Sequence, residues 1–313
     1  MGAPGRGGAA IVALAVALAL PACGDDEGSA GPSDEAVALL DHVPRSGEPE
    51  LAFADFDAAR EQLGLPDDAD LAEFPAGADE EDPQARLATT AGLLIRYLSL
   101  PPQQQTPLPQ AIDHGAVRAA ASNVVTGGPG ITVLSTSQSF DDIAAALEDR
   151  GYQRDGGTLE DDSASIRFAY PLVADAGDGV IVLGYARGPV EDAVAGTSGS
   201  DHARALLERV EGVVRDAVTF DSKCVHGLAV GESYDPEAGE VRIEVEGEAE
   251  AERFRLADSQ TIPQLEYGDP QADGNALTVG AQLDPNPEFD VLLGEGPITL
   301  LRSDLAPTDI YAC

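Results

Sequence analysis

The side chains able to do chemistry in this chain are three cysteines, four histidines and 56 carboxylates. The cysteines are Cys23, Cys224 and Cys313. A thiol can be acylated, oxidised to a disulfide or used as a metal ligand. Cys224 and His226, two apart in an extended segment, would point the same way, but two ligands do not make a zinc site. His42, His114, His202 and His226 are scattered singly, with no partner at metal-ligand spacing, so each reads as a surface or core residue. The acids lie in Asp67 to Asp70, Asp79 to Asp82, Glu160 to Asp162 and Glu244 to Glu252, without one dominant block. Pairs such as Asp141-Asp142 fit the first turn of a helix, where the macrodipole favours negative charge.

Motifs that would organise such groups into a catalyst do not occur. A nucleophile elbow needs Gly-x-Ser-x-Gly on a strand-to-helix turn; Gly196-Thr197-Ser198-Gly199-Ser200 reads instead as a loop. A phosphate cradle needs a Gly-rich loop opening a helix, whereas Thr126 to Gly130 (TGGPG) precedes a strand. Asp175 to Gly179 lacks the alternating ligands and closing Glu of a calcium loop and reads as a hairpin turn. No catalytic residue, metal or cofactor is expected.

The first cysteine has a context of its own. Residues 9–20 are all Ala, Val, Ile or Leu, behind a short segment with Arg6. That run is too short for a spanning helix and suits the core of a signal peptide. It leads into Leu20-Pro21-Ala22-Cys23-Gly24. An apolar residue three before a cysteine, with a small residue just before it, resembles the lipobox of bacterial lipoproteins. The resemblance implies cleavage before Cys23, acylation of its thiol, and anchoring in a membrane on the extracytoplasmic face. It covers only the first 23 or so residues. Residues 24–34 (GDDEGSAGPSD) are polar and rich in Gly and Ser, as a flexible tether is. The expected organisation is a signal peptide at 1–22, a tether at 23–34 and a globular region at 35–313, with a sub-boundary near 196–200.

If Cys23 carries lipid, Cys224 and Cys313 remain as a pair, and paired thiols in an exported protein normally form a disulfide. That bridge would tie the last residue to the domain. The apolar fraction of 43% is that of a folded protein, and the absence of Trp leaves Val, Leu, Ile and Ala to build the core. A formal net charge of −38 opposes binding to nucleic acid and to anionic lipid. Membrane attachment would then rest on the lipid alone.

The elements that position these groups read as follows. Short helices are expected over Glu35 to His42 and from the Asp55 cap to Leu63, the latter after a strand at Glu50 to Ala54. A helix is expected over Gln84 to Leu100, with Leu87, Ala91, Leu94, Tyr97 and Leu98 on one face. The run Pro101 to Pro109 should be extended and exposed, and Asp113 to Asn123 helical. Then come a strand at Ile131 to Ser135, a helix capped by Ser139 and ended by Gly151, strands at Ile166 to Tyr170 and Val180 to Gly184, and a helix from Pro189 to Gly196. A long amphipathic helix follows at Asp201 to Asp216. Val225 to Glu232 and Glu240 to Val245 form a hairpin, and Phe254, Leu277 to Gln282 and Ile298 to Leu301 suggest further strands.

The fold class is therefore α+β: mostly antiparallel sheet with packed amphipathic helices, or two linked α/β units sharing a sheet. The order of strand, helix ending in Gly151-Tyr152, hairpin closing on Val180 to Gly184, and helix resembles a group of uncharacterised actinobacterial surface lipoproteins, which implies no activity. Three functions fit. The first is a non-enzymatic binding or interaction lipoprotein. The second is a carrier of a lipid or other hydrophobic ligand in an apolar cavity. The third is an envelope hydrolase with an acidic site.

Overall fold

The computed structural model describes residues 37–43, 50–75, 82–99, 107–123, 130–161, 170–196, 201–219, 225–235, 240–249, 265–267, 271–273 and 276–283. Cys23, Cys224 and Cys313 lie outside these residues, as do most of the strand expected at Ile166 to Tyr170, Phe254, and Ile298 to Leu301.

The first half of the chain supplies β1 (Glu50–Asp55), α1 (Phe56–Gln62), α2 (Pro83–Leu94), α3 (Leu108–Ala111), β2 (Val117–Asn123), β3 (Thr132–Thr136) and α4 (Phe140–Glu148). The second supplies β4 (Gln153–Asp155), β5 (Thr158–Glu160), β6 (Leu172–Gly177), β7 (Val180–Gly184), α5 (Arg187–Val194), α6 (Asp201–Leu207) and β8 (Val214–Thr219). It continues with β9 (Val225–Asp235), β10 (Glu240–Ala249), β11 (Leu265–Tyr267), β12 (Gln271–Asp273) and β13 (Ala276–Leu283). Short 3-10 turns occupy Leu39–His42 and Arg96–Ser99.

The strands form one 13-stranded sheet in the order β11-β13-β10-β9-β8-β1-β2-β3-β7-β6-β5-β4, with β12 also on β13. Every pairing is antiparallel. The fold is α+β, with strands on both sides of 196–200 in the same sheet. Alternation along the strands divides the core in two. Ala52, Ala54, Ala120, Leu134, Ile181, Leu183 and Val214 face a layer made by α1, α2, α3 and α4. Leu51, Phe53, Ala121, Val133, Val182 and Ala217 face the Leu39–His42 turn, α5 and α6.

The start signals act as expected. Asp55 Oδ1 accepts from Ala58 N at 3.0 Å, and Ser139 Oγ accepts from Asp142 N at 3.2 Å. Gly151, at φ +105°, leaves the α4 helix in a backbone conformation that side-chain-bearing residues rarely adopt. Asp178 and Gly179, at φ 51° and 79°, make the tight β6–β7 turn.

Four expectations are corrected. Residues 117–123 form a strand, not the helix expected over Asp113 to Asn123: β2 is bonded to β1 on one side and β3 on the other. Alanine favours helix, but three small side chains, Ala119 to Ala121, let both faces of a central strand pack closely. The helix expected over Asp201 to Asp216 ends at Leu207. Gly212, at φ +139°, turns the chain, and the β-branched pair Val213-Val214 leads into β8 between β1 and β9. The helix expected to reach Leu100 ends at Leu94, and Ile95 leaves helical geometry at φ −101°, ψ 75°. Tyr97, in the Arg96–Ser99 turn, is buried all the same. In the Pro/Gln run, described from Pro107 onward, Leu108 starts α3 and is fully buried rather than exposed.

Candidate functional site

The site is built where α1 leaves the centre of the sheet. Phe56 and Ala59 anchor the helix in the core, and Arg60, one position on, is carried inward with them. Arg60 is only 1% exposed. A buried guanidinium must have its donors satisfied, and here the surrounding backbone does this. Nε donates to Ala69 O at 3.1 Å, Nη1 to Val117 O at 2.9 Å, and Nη2 to His114 O at 3.2 Å. Nη1 also donates to Asp57 Oδ1 at 3.1 Å, one turn back on α1. One side chain thus joins α1, the 64–74 segment and the entry to β2.

Beneath this hub runs a polar seam through otherwise apolar core. The Tyr97 hydroxyl is 3.1 Å from His114 Nε2, and the rings lie 5.8 Å apart. With Tyr97 O–H donating to Nε2, the Nδ1 proton faces Asp70, whose Oδ1 is 3.9 Å away. Tyr97 meets Tyr170 edge-on at 6.2 Å. Tyr170 Oη bonds Thr132 Oγ1 at 2.9 Å, Thr132 Oγ1 donates to Leu94 O at 3.3 Å, and Tyr152 Oη donates to Tyr170 O at 3.3 Å. Burial pushes His114 below its ordinary range, opposed by Asp70 and Asp113. Burial raises Tyr97 well above the usual phenol value, reinforced by Tyr170 and Asp70, and also raises Tyr170. The seam is therefore uncharged near neutral pH.

Over the hub lies an open groove of about 1100 Å³. It is lined by Asp55, Asp57 and Glu61 of β1 and α1, by Leu65, Asp67 and Asp68, and by Gly115, Arg118 and Ser137. Asp57 is shared: its Oδ2 accepts from Arg118 Nε at 2.9 Å while Oδ1 accepts from Arg60. Asp55 is held by its capping bond to Ala58 N. These carboxylates act as fixed charges, suited to attracting a cationic group. No group of three metal-ligating side chains occurs among the described residues.

Among the histidines whose side chains are described, His114 falls at this site. His42 Nδ1 bonds Ala193 O at 2.8 Å, on the opposite face of the sheet. The acid run Asp67 to Asp70 contributes two groove carboxylates and the neighbour of His114. Arg60 is absent from the sequence expectations. Its signal was its position beside Ala59 and four after Phe56, on the apolar stripe of a short helix. A basic residue there must either find buried acceptors or break the stripe.

No family model and no curated protein matches the sequence. A solved structure, crystal form I of TP0453, is similar over 87% of this chain and 98% of its own, at 7% identity and a TM-score of 0.48. Among the described residues, no helix is long and apolar enough to cross a membrane.

Proposed function

We propose that this protein is a lipoprotein held at the extracytoplasmic face of a membrane through acylated Cys23, and that its α+β domain is a non-enzymatic binding module. The observation that carries the anchor is Leu20-Pro21-Ala22-Cys23 at the end of a short apolar run, followed at once by a polar tether. More than one acyl chain would make the attachment stable, since each buried CH2 contributes about 0.8 kcal/mol. The bridge between Cys224 and Cys313 belongs to the same reading, because lipid on Cys23 leaves an even pair. Binding is favoured by the groove, in which Asp55 is held by Ala58 N and Asp57 by Arg60 and Arg118, beside the further acids Glu61, Asp67 and Asp68. Its partner would carry positive charge.

The anchor is tested by labelling expressing cells with an alkyne fatty acid. Wild type incorporates the label and fractionates with membranes. Cys23→Ala should lose the label and leave the membrane fraction, and an unlabelled wild type would overturn the assignment. Native mass spectrometry of purified protein separates the functional readings. A co-purifying lipid would favour the carrier, and turnover of peptidoglycan or glycosides the hydrolase.

A further inference from the structure

We propose that His114 is an acid-sensitive latch: protonation of its imidazole releases residues 64–74 from the core and so moves the lining they contribute to the groove.

Residues 64–74 have no strand or long helix of their own, and they are strapped down at a few points. Leu71 is fully buried, and Leu65 packs against the same cluster. Leu65 N donates to Arg60 O at 2.8 Å, and Ala69 O accepts from Arg60 Nε. Asp68 O presses on Gly115 so closely that a Cβ there would lie 2.6 Å from it. Gln84 Nε2 donates to Asp70 O at 2.6 Å and to Glu73 O at 3.1 Å. Residues 68–70 of this strap cover His114, which is 3% exposed, while Asp70 above it is half exposed.

A second proton is poorly accommodated. An imidazolium donates from both nitrogens, so the Tyr97 hydroxyl bonded to Nε2 would have to accept there and send its own proton to another acceptor inside the core. Arg60, bonded to the carbonyl of His114 itself, adds a like charge from α1. Asp57, facing Arg60 from the same helix, is engaged with Arg60 and Arg118. Asp70 on the strap and Asp113 on the histidine's own segment attract the imidazolium, but Asp70 is half solvated and its attraction is weakened accordingly. Tyr170, behind Tyr97, is neutral and tied to Thr132. The imidazolium is therefore relieved by hydration once the strap lifts. This inference concerns the strap itself and holds whatever the groove binds.

The test is hydrogen exchange of the detergent-solubilised full-length protein at pH 8 and pH 5, corrected for intrinsic chemistry, with His114→Gln as comparison. Wild type should show about a tenfold rise in exchange at pH 5, confined to residues 64–74 and 113–116, because an imidazole released to water is protonated at pH 5. His114→Gln, which cannot titrate, should show no such rise. Equal protection at both pH values, or the same rise in the variant, overturns the latch. Should the variant not fold, the His114 imidazole is titrated by NMR in wild type. Strap exchange must then rise, as pH falls, between the ordinary histidine value and the midpoint of His114, and a rise outside that window overturns the proposal.

Discussion

At the residue scale, Arg60 and the seam below it show how a charged and several polar groups are tolerated in a core of aliphatic side chains: each donor reaches a fixed acceptor. Arg60→Ala would leave the carbonyls of Ala69, Val117 and His114 without this donor and open a cavity. We expect a loss of about 3 kcal/mol, read from the urea midpoint. Arg60→Lys should recover little, because one ammonium cannot reproduce the guanidinium fork. Tyr97→Phe removes the partner of His114 Nε2 in a fully buried position. The expected cost is about 1–2 kcal/mol in chemical denaturation. The pH dependence has a definite sign. His114 is depressed in the folded state, so the unfolded chain takes up its proton first as pH falls. Its contribution to stability is fully present above about pH 6.5 and is lost as pH falls toward its folded value. Urea midpoints measured from pH 8 to pH 5 should decline accordingly, and more shallowly in His114→Gln.

At the element scale, close approaches fix how helices sit on the sheet. A Cβ on Gly184 of β7 would lie 2.4 Å from Val190 Cγ2 of α5 and 2.5 Å from Ile131 Cδ1. Gly184→Ala must push α5 outward, and an overpacking cost of about 1–3 kcal/mol is expected in urea unfolding. Ser139→Ala removes the α4 cap and should cost about 1 kcal/mol by the same measurement. The caps, the Gly151 exit and the β6–β7 turn were legible in the sequence because each depends on local chemistry. The fate of Ala119 to Ala121 was not. An alanine run satisfies a helix alone, and only strands on both sides make it a strand. Val213-Val214 shows the same limit: its period-3.6 match to α6 is real, yet β8 has β1 and β9 to pair with.

At the scale of the whole molecule, a net charge of −38 works against the compact state. Raising salt from about 10 mM shortens the screening length from about 30 Å to about 8 Å at 150 mM, so the urea midpoint should rise over that range. A midpoint independent of salt would mean that the acids are already neutralised by their neighbours. Some are: Arg187 is bonded to Asp155 and Glu160, Arg154 to Asp141 and Glu148, and Arg204 to Asp41 and Glu208. These exposed pairs place the scarce cations where acids crowd, and each contributes little alone.

The sequence by itself determined the class of the fold, the signals that start and stop its helices, the long β9–β10 hairpin, and the lipobox-like context of Cys23. All of these are written in neighbouring residues, within the reach of a turn, a cap or an alternating strand. The tertiary structure decided which ambiguous segments became strands, that both halves share one sheet, and that Arg60, Tyr97 and His114 meet with Asp57 and Asp70. Those contacts bring together residues far apart in the chain: Arg60 and Val117 are 57 positions apart, Asp57 and Arg118 61. No local propensity encodes that distance. It is set by which strands find partners and by the requirement that every buried donor find an acceptor.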